Sequence, residues 1–282
     1  MKTLLLLLFT LCSFTARAAE TLRVMTFNLR YINSGDRGDK AWTARRDASA
    51  ELIKKDAPDF LGTQEAFRVM LDDVKARVPG YAEIGVGRED GKTKGEYAAI
   101  LYREAAWEMK ESGTFWLSDT PEVVASSSWG NKVTRICTWG KFRSKATGGE
   151  VFVFNAHLDH ESQPAREKGA ALILKRIVER GSNAPVIVMG DFNAAPDNAA
   201  MKTMVQGPPV LTDVWAARHK DAKTAESGTF HGFDGRRDGA RIDYILTTAE
   251  WEPGEAAILN EAKDGKWPSD HYPVRATLTL KP

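Results

Sequence analysis

The pattern of apolar and polar residues predicts ten strands and three helices. In the predicted strands, apolar residues alternate with polar ones or form short unbroken runs. The predicted strands cover 21–29, 59–64, 81–86, 98–102, 107–117, 134–142, 151–155, 186–189, 241–247 and 274–280. The predicted helices carry an apolar stripe at helical spacing and cover 42–55, 66–78 and 164–180. The stretches on either side of the strand 241–247 show neither pattern, and we expect them to be irregular.

The order of these elements predicts the fold class. The strands arrive in two groups, and each group carries helices. Two sheets packed together with helices outside would bury the apolar faces of both kinds of element, which describes an α/β sandwich. No repeat, low-complexity run or linker-like change in composition divides the chain, so we expect one domain from about residue 19 to residue 282.

The strand at 186–189 leads directly into a polar turn. Four apolar residues, three of them β-branched, precede Gly190, and Asp191 and Asn193 follow two positions apart. This spacing places both side chains on one side of an extended chain. On this segment alone, a turn that caps the strand is the simpler interpretation. The alternative is a site for a hard metal ion or a phosphate group, because a carboxylate and an amide beside a hydrophobic core require partners.

Similar polar residues occur at the ends of other predicted strands. Acids, amides and histidines follow or precede several of the predicted strands. These residues are Asn28, Glu65, His157, Asp159, His160, Asp191, Asn193, Asp270 and His271. Asp243 lies within an apolar strand and therefore needs a partner, for which a histidine is suitable. Each residue alone has an ordinary structural explanation, but the repeated pattern favours one cleft in which these strand ends converge.

The residue types in this set select a chemistry. Carboxylate and amide oxygens suit Mg²⁺, with Mn²⁺ or Ca²⁺ as alternatives, rather than zinc. The sequence contains no H-E-x-x-H, G-x-S-x-G or glycine-rich phosphate loop, so the common zinc-protease, serine-hydrolase and nucleotide-driven classes are unsupported. A hard metal ion together with acid–base histidines fits hydrolysis at phosphorus.

The first 18 residues have the features of a signal peptide. Lys2 supplies a positive charge, residues 4–11 are mostly leucine, and residues 16–18 form a small-x-small cleavage site. The apolar run is too short to cross a bilayer as a helix. We therefore expect a periplasmic or secreted protein without a transmembrane segment in its mature chain. After cleavage Cys137 would be the remaining cysteine, which leaves no intramolecular disulfide.

The charge balance does not favour general adhesion to nucleic acid. The formal net charge of the whole chain is +1, and removal of Lys2 and Arg17 makes it slightly negative. Binding of nucleic acid regardless of sequence requires a basic face. A local basic patch remains open as an alternative and would use arginines at five positions: Arg45, Arg46, Arg236, Arg237 and Arg241.

Six motifs together resemble the endonuclease/exonuclease/phosphatase superfamily. They are TFN at 26–28, QE at 64–65, NAHLDH at 155–160, GDFN at 190–193, RIDYIL at 241–246 and SDH at 269–271. Their order matches that of the superfamily, and they span most of the chain after residue 18. The resemblance implies a four-layered α/β sandwich, with two central mixed β-sheets face to face and helices outside. It also implies Mg²⁺-dependent hydrolysis of phosphoesters.

The resemblance also assigns expected roles to the matching residues. Glu65 resembles the principal metal ligand, with Asn28 beside it and Asp270 as a further contact to the metal or its water. Asp191 would orient or deprotonate the attacking water, and Asn193 would contact metal or phosphate. Asp243 would pair with His271, which would act in acid–base chemistry or stabilise the transition state. His157 would bind an oxygen of the scissile phosphate.

Two further residues are expected to bind substrate. Arg135 lies at the start of a predicted strand, where a guanidinium can grip a phosphate, and a surface strand arginine is an equal alternative. His231 lies between Phe230 and Phe233, and this loop would either form a wall for a sugar or base or simply pack. The roles of Asp159 and His160 stay open.

These observations favour a secreted or periplasmic phosphoesterase acting on a small, sugar- or lipid-linked phosphodiester or phosphomonoester. The length of the chain and its TFHGF segment suggest the bacterial exported branch of the superfamily. A secreted nuclease is the alternative, because local arginines can bind a nucleic-acid backbone. A binding module that kept the fold but lost catalysis would show a gap in the acid–base set, and no gap is visible. We expect a monomer with no obligatory protein partner.

Overall fold

The computed structural model describes residues 20–220, 227–263 and 265–281. The predicted signal peptide lies outside these residues. Within them, the strands form two six-stranded mixed sheets. No helix in these ranges is long and apolar enough to span a bilayer.

The first sheet has the strand order β11-β12-β1-β2-β4-β3. Its strands are β1 (Thr21–Asn28), β2 (Phe60–Ala66), β3 (Tyr81–Ile84), β4 (Tyr97–Arg103), β11 (Trp251–Ile258) and β12 (Val274–Leu280). Neighbours are antiparallel except β1 and β2, which run parallel with Asn28 opposite Gln64. The crossover between them is helix α1 (Trp42–Asp56), and helix α2 (Arg68–Arg77) follows β2.

The second sheet has the order β5-β6-β7-β8-β10-β9. Its strands are β5 (Trp107–Trp116), β6 (Ile136–Ser144), β7 (Glu150–His157), β8 (Val186–Asp191), β9 (Thr212–Asp213) and β10 (Asp243–Thr247). Here β7 and β8 are the parallel pair, with His157 opposite Asp191, and helix α3 (Gln163–Glu179) connects them. Each sheet therefore brings the carboxyl ends of two adjacent strands to one edge.

Three buried clusters separate four layers. One cluster lies between the sheets and includes Val24, Phe60 and Ile187. A second packs α3 and helix α4 (Ala199–Gln206) against the second sheet, and a third packs α1 and α2 against the first. The predicted sandwich of two mixed sheets with helices outside is confirmed.

The alternation of side chains along each strand connects this core to the polar residues. In β8, Ile187 and Met189 face the other sheet, and Asp191 is the next residue on that face. The same period of two places His157 beyond Val153 on β7. The polar cluster is therefore the continuation of the layer between the sheets.

A close approach between β7 and β8 explains Gly190. A Cβ atom at this position would lie 2.0 Å from the carbonyl oxygen of Ala156, and Gly190 has φ +150°. Any other residue would clash with the backbone of the neighbouring strand. Gly190 thus lies within β8, one residue before the strand ends, and lets Asp191 sit directly beside His157.

Two predicted irregular stretches contain regular structure. Residues after β8 form α4, β9 and the short helix α5 (Val214–Arg218), and β11 follows β10. The sequence pattern did not indicate β11 because Pro253 and Gly254 interrupt it, and its pairing with β12 shifts register there. The expectation of irregular structure in these stretches was wrong.

Candidate active site

A cleft of about 550 Å³ opens where the carboxyl ends of both parallel pairs meet. Seven predicted site residues line it: Glu65, Arg135, His157, Asp191, Asn193, Asp270 and His271. Asn28 and Asp243 are buried beneath, in contact with cleft residues. Packing of the two sheets therefore brings together residues that lie far apart in the sequence.

A bulge at the end of β2 aims Glu65 into the cleft. The pairing of β2 with β4 shifts register between Thr63 and Ala66, and Glu65 has φ +62°. Such a backbone conformation is uncommon for a residue with a side chain and often marks a functional position. The Glu65 carboxylate accepts hydrogen bonds from the Asn28 amide and from the backbone N–H of Tyr31, both at 3.0 Å. These contacts fix its position.

Asn28 joins the two sheets at the floor of the cleft. Its Nδ2 group donates to Glu65 and, at 2.8 Å, to Asp191, while its Oδ1 accepts from the backbone N–H of Arg30. Since the backbone donor requires the oxygen, the amide must point its nitrogen at the carboxylates. The structure thus shows Asn28 positioning both carboxylates, beside the predicted metal ligand Glu65, and its own contact with a metal stays a prediction.

Asp191 is the most central residue of the cluster. Its Oδ2 atom lies 3.6 Å from Nε2 of His157 and 3.8 Å from Nε2 of His271. Its other oxygen accepts the backbone N–H of Asn193 at 3.0 Å, so the turn does form. Burial, and then the charge of nearby Asp243, raise the pKa of Asp191 to about 7. The two interpretations of this segment are therefore compatible, because the turn that ends the strand also places Asp191 in the cleft.

His271 and Asp243 form the predicted pair. Nδ1 of the imidazole donates to Oδ2 of Asp243 at 2.9 Å, and both side chains are buried. Burial disfavours the charged imidazole, but Asp243 and Asp191 outweigh it and raise the pKa of His271 well above its ordinary value. The charged form of His271 is therefore favoured, and its ring is held by one carboxylate and faces a second.

Arg135 occupies the opposite wall. Its guanidinium lies 3.0 Å from the ring nitrogens of His157, 2.7 Å from Nδ1 of His160 and 3.4 Å from Oδ2 of Asp159. Burial, and then the charge of Arg135, hold the pKa of His157 well below its ordinary value. His157 is consequently neutral, in contrast to His271. The structure explains Asp159, whose carboxylate anchors Arg135, and it places His160 on the cleft wall.

The donor set fits a divalent cation. Ligand atoms of Glu65, Asp191 and His271 lie within 4.8 Å of one another. Asp270 also lines the cleft, and burial raises its pKa, with nearby Glu65 contributing. Carboxylates gathered in this way favour a hard cation that would offset their repulsion. We expect Glu65 and Asp270 to hold it, as predicted from the sequence, beside Asp191 and His271.

The expectation that His231 binds substrate is not supported. His231 is fully buried and stacks on Tyr272, with ring centroids 4.0 Å apart, so it packs and does not reach the cleft. Its neighbour Phe230 lines the cleft instead. A loop has no regular alternation of side-chain direction, so its sequence does not show which of two neighbouring residues faces the cleft. For this reason the aromatic pattern could not distinguish Phe230 from His231.

Three of the five arginines considered for a basic patch have structural partners. Arg45 is buried and donates to the carbonyl oxygens of Leu29, Arg30, Lys40 and Pro268. Arg241 is buried against Asp213, and Arg46 pairs with Asp73. Arg45, Arg46 and Arg241 therefore hold neighbouring segments of the fold together, which disfavours a role for these three in following a nucleic-acid backbone.

Sequence reasoning missed four residues that line the cleft: Arg30, Tyr31, Arg88 and Glu96. Arg30 and Tyr31 follow β1 directly, whereas Arg88 and Glu96 belong to the loop between β3 and β4. The only feature of the sequence that could have indicated Arg88 and Glu96 was the presence of both positive and negative residues on either side of a glycine-rich turn. That signal is ordinary for a surface loop, so the sequence could not identify the residues.

Comparison with known proteins is consistent with this geometry. The sequence profile of the Endonuclease/Exonuclease/phosphatase family matches residues 25–271. A protein of that family from Bacteroides thetaiotaomicron has a similar structure, with 37% identity and a TM-score of 0.87, covering 94% of this chain and 97% of that chain. A mannosyl-6-phosphatase from the same organism has 38% identity and a TM-score of 0.83, covering 91% of this chain and 99% of that chain.

A more distant match is an uncharacterized protein of Acanthamoeba polyphaga mimivirus. It is 26% identical over 161 residues. The match covers 54% of this chain and 59% of that protein, so this chain spans somewhat more than half the length of its viral relative.

Proposed function

Because this chain belongs to the endonuclease/exonuclease/phosphatase family, whose members hydrolyse phosphoesters, we propose that it is a divalent-metal-dependent phosphatase acting on a phosphorylated sugar. The observation that carries the proposal is the cleft, which has one compact acid–histidine centre and a volume of about 550 Å³. That volume suits a small ligand. The similar mannosyl-6-phosphatase supports a sugar phosphate as the substrate class.

The charges in the cleft favour a substrate with a single phosphate group. Its three arginines are each paired with a carboxylate: Arg30 with Asp36, Arg88 with Glu96, and Arg135 with Asp159. A nucleic-acid backbone presents several phosphates and requires unpaired cations along its path. None of the three is left unpaired, so one phosphate group, bound at the centre of the cleft by Arg135 and His271, fits this site better than a chain of phosphates.

Asp191 is suited to act as the general base. Its pKa of about 7 is near neutral pH, where a base is most effective. Accepting a proton from water would let the water oxygen attack phosphorus as the bond to the sugar oxygen breaks, and the departing sugar oxygen would take up a proton from solvent. Asn193 is positioned beside it, with its own amide nitrogen donating to the backbone of Leu158 at 3.1 Å. The two side chains thus flank the place where the phosphate must lie.

His271 and Arg135 would stabilise the negative charge that develops on the phosphoryl oxygens. Both are buried cations fixed by carboxylates, so little reorganisation is required during the reaction. A cation bound by Glu65 and Asp270 would supply polarisation of a phosphoryl oxygen and further charge stabilisation. Mg²⁺ is the cation we propose, and residues 1–18 support the further proposal that the protein acts outside the cytoplasm.

A substrate panel tests the proposal. Purified protein with Mg²⁺ is expected to release inorganic phosphate from mannose 6-phosphate, and to hydrolyse bis-p-nitrophenyl phosphate, a phosphodiester, at least about tenfold less efficiently. The paired arginines also predict no nicking of supercoiled plasmid at the same protein concentration. Nicking without release of phosphate from the sugar would contradict the proposal and favour the nuclease alternative.

A further inference from the structure

The cleft wall formed by the loop between β3 and β4 carries one charged pair with no role in the chemistry described above. Arg88 and Glu96 both line the cleft. Their side chains meet through two parallel hydrogen bonds of 2.7 and 2.8 Å. They are 12% and 13% exposed, so the pair is largely withdrawn from water but still reaches the cavity.

The loop does not need this ion pair to close. Backbone hydrogen bonds already join Arg88 to Glu96, Glu89 to Lys94 and Gly87 to Lys92, each at 3.0 Å. The indole of Trp116 also donates to the carbonyl oxygen of Arg88 at 2.7 Å. Withdrawing two charges from water is costly and is weak grounds for a purely stabilising role. Burial indeed raises the pKa of Glu96, although Arg88 opposes the change.

The chemistry of the pair fits a neutral polyol and not a phosphate. A carboxylate repels a phosphate anion, so Glu96 disfavours the charged end of the substrate at this wall. A carboxylate bound by one arginine keeps further lone pairs, and a guanidinium has five N–H donors. Adjacent sugar hydroxyls, which both donate and accept, can therefore bind Glu96 and Arg88 together.

We propose that the Arg88–Glu96 pair binds hydroxyl groups of the sugar and determines specificity for the leaving group. The inference rests on the proposed sugar phosphatase function, because it assigns the non-phosphate half of that substrate to one wall of the cleft. The phosphate would lie against His271 and Arg135, with the attacking water between it and Asp191, and the sugar ring would extend toward the loop between β3 and β4.

Steady-state kinetics on two substrates test this assignment. Mannose 6-phosphate carries hydroxyls, and p-nitrophenyl phosphate carries none. Glu96→Gln is expected to lower kcat/KM for mannose 6-phosphate about 10- to 100-fold more than for p-nitrophenyl phosphate, mainly through KM, because a hydrogen bond to a charged group is lost. Glu96→Asp, which keeps the charge but shortens the side chain, is expected to shift the same ratio in the same direction.

Glu89→Gln is the matched control. Glu89 belongs to the same loop and pairs with Lys94 at 3.3 Å, but both side chains are on the surface. The control is expected to leave both substrates unaffected. Equal losses on the two substrates for both Glu96 variants, or no loss on either, would overturn the assignment. A wild-type protein inactive on both phosphomonoesters would instead overturn the proposed function, and the assignment with it.

Discussion

Replacing Asp191 with asparagine is expected to lower kcat for phosphate release about 10³- to 10⁴-fold. The substitution keeps the shape of the side chain and one acceptor oxygen, for either the Asn28 amide or the backbone N–H of Asn193, but it removes the group that accepts the proton from water. Because Asp191 is buried beside Asp243, the neutral amide is also easier to accommodate than the carboxylate. We therefore expect the melting temperature, measured in EDTA, to stay the same or rise.

Asp56→Asn provides the control for Asp191. Asp56 is another buried carboxylate whose pKa is raised by burial, but it lies against Arg275, away from the cleft. Loss of activity in Asp191→Asn together with normal activity in Asp56→Asn would locate the effect in the cleft. If Asp191→Asn retained more than about a tenth of wild-type kcat, Asp191 would not be the base.

Replacing Glu65 with glutamine is expected to weaken the apparent Mg²⁺ affinity about a hundredfold or more, with a parallel loss of kcat/KM at limiting Mg²⁺. The amide retains the size of the side chain and an oxygen for the Tyr31 N–H group, but it lacks the charge that attracts the cation. Activity measured across a Mg²⁺ titration separates this effect from a loss of base, because excess Mg²⁺ should restore part of the activity.

Glu83→Gln is the comparison for Glu65. Glu83 is a partly buried glutamate on the same sheet that pairs with Arg68 at the protein surface. Its substitution should leave the Mg²⁺ dependence unchanged. An unaltered Mg²⁺ titration curve for Glu65→Gln would show that Glu65 does not hold the cation.

Residues at the ends of regular strands could be predicted from the sequence. Asp191 and His157 follow alternating apolar positions, so their face and their depth are determined by the period of the strand. The pairing of Asp243 with His271 could also be anticipated, because a carboxylate inside an apolar strand must find a partner. The local sequence pattern and the cost of burying a polar group were sufficient to predict the positions of these residues.

Residues whose position depends on loops or on a bulge could not be predicted in the same way. The direction of the Asn28 amide is determined by the backbone N–H of Arg30, and Glu65 reaches the cleft because of a register shift in β2. Arg88 and Glu96 meet across a loop that the sequence describes only as polar. Such positions depend on tertiary contacts that no local pattern encodes.

The central claim is that the cleft around Asp191 and His271 hydrolyses a phosphoester with the help of a bound divalent cation. It is tested most directly by following phosphate release from mannose 6-phosphate after treatment with EDTA, and then during addition of Mg²⁺. We expect no release in EDTA and a saturable return of activity as Mg²⁺ is added. Undiminished phosphate release in EDTA would contradict it.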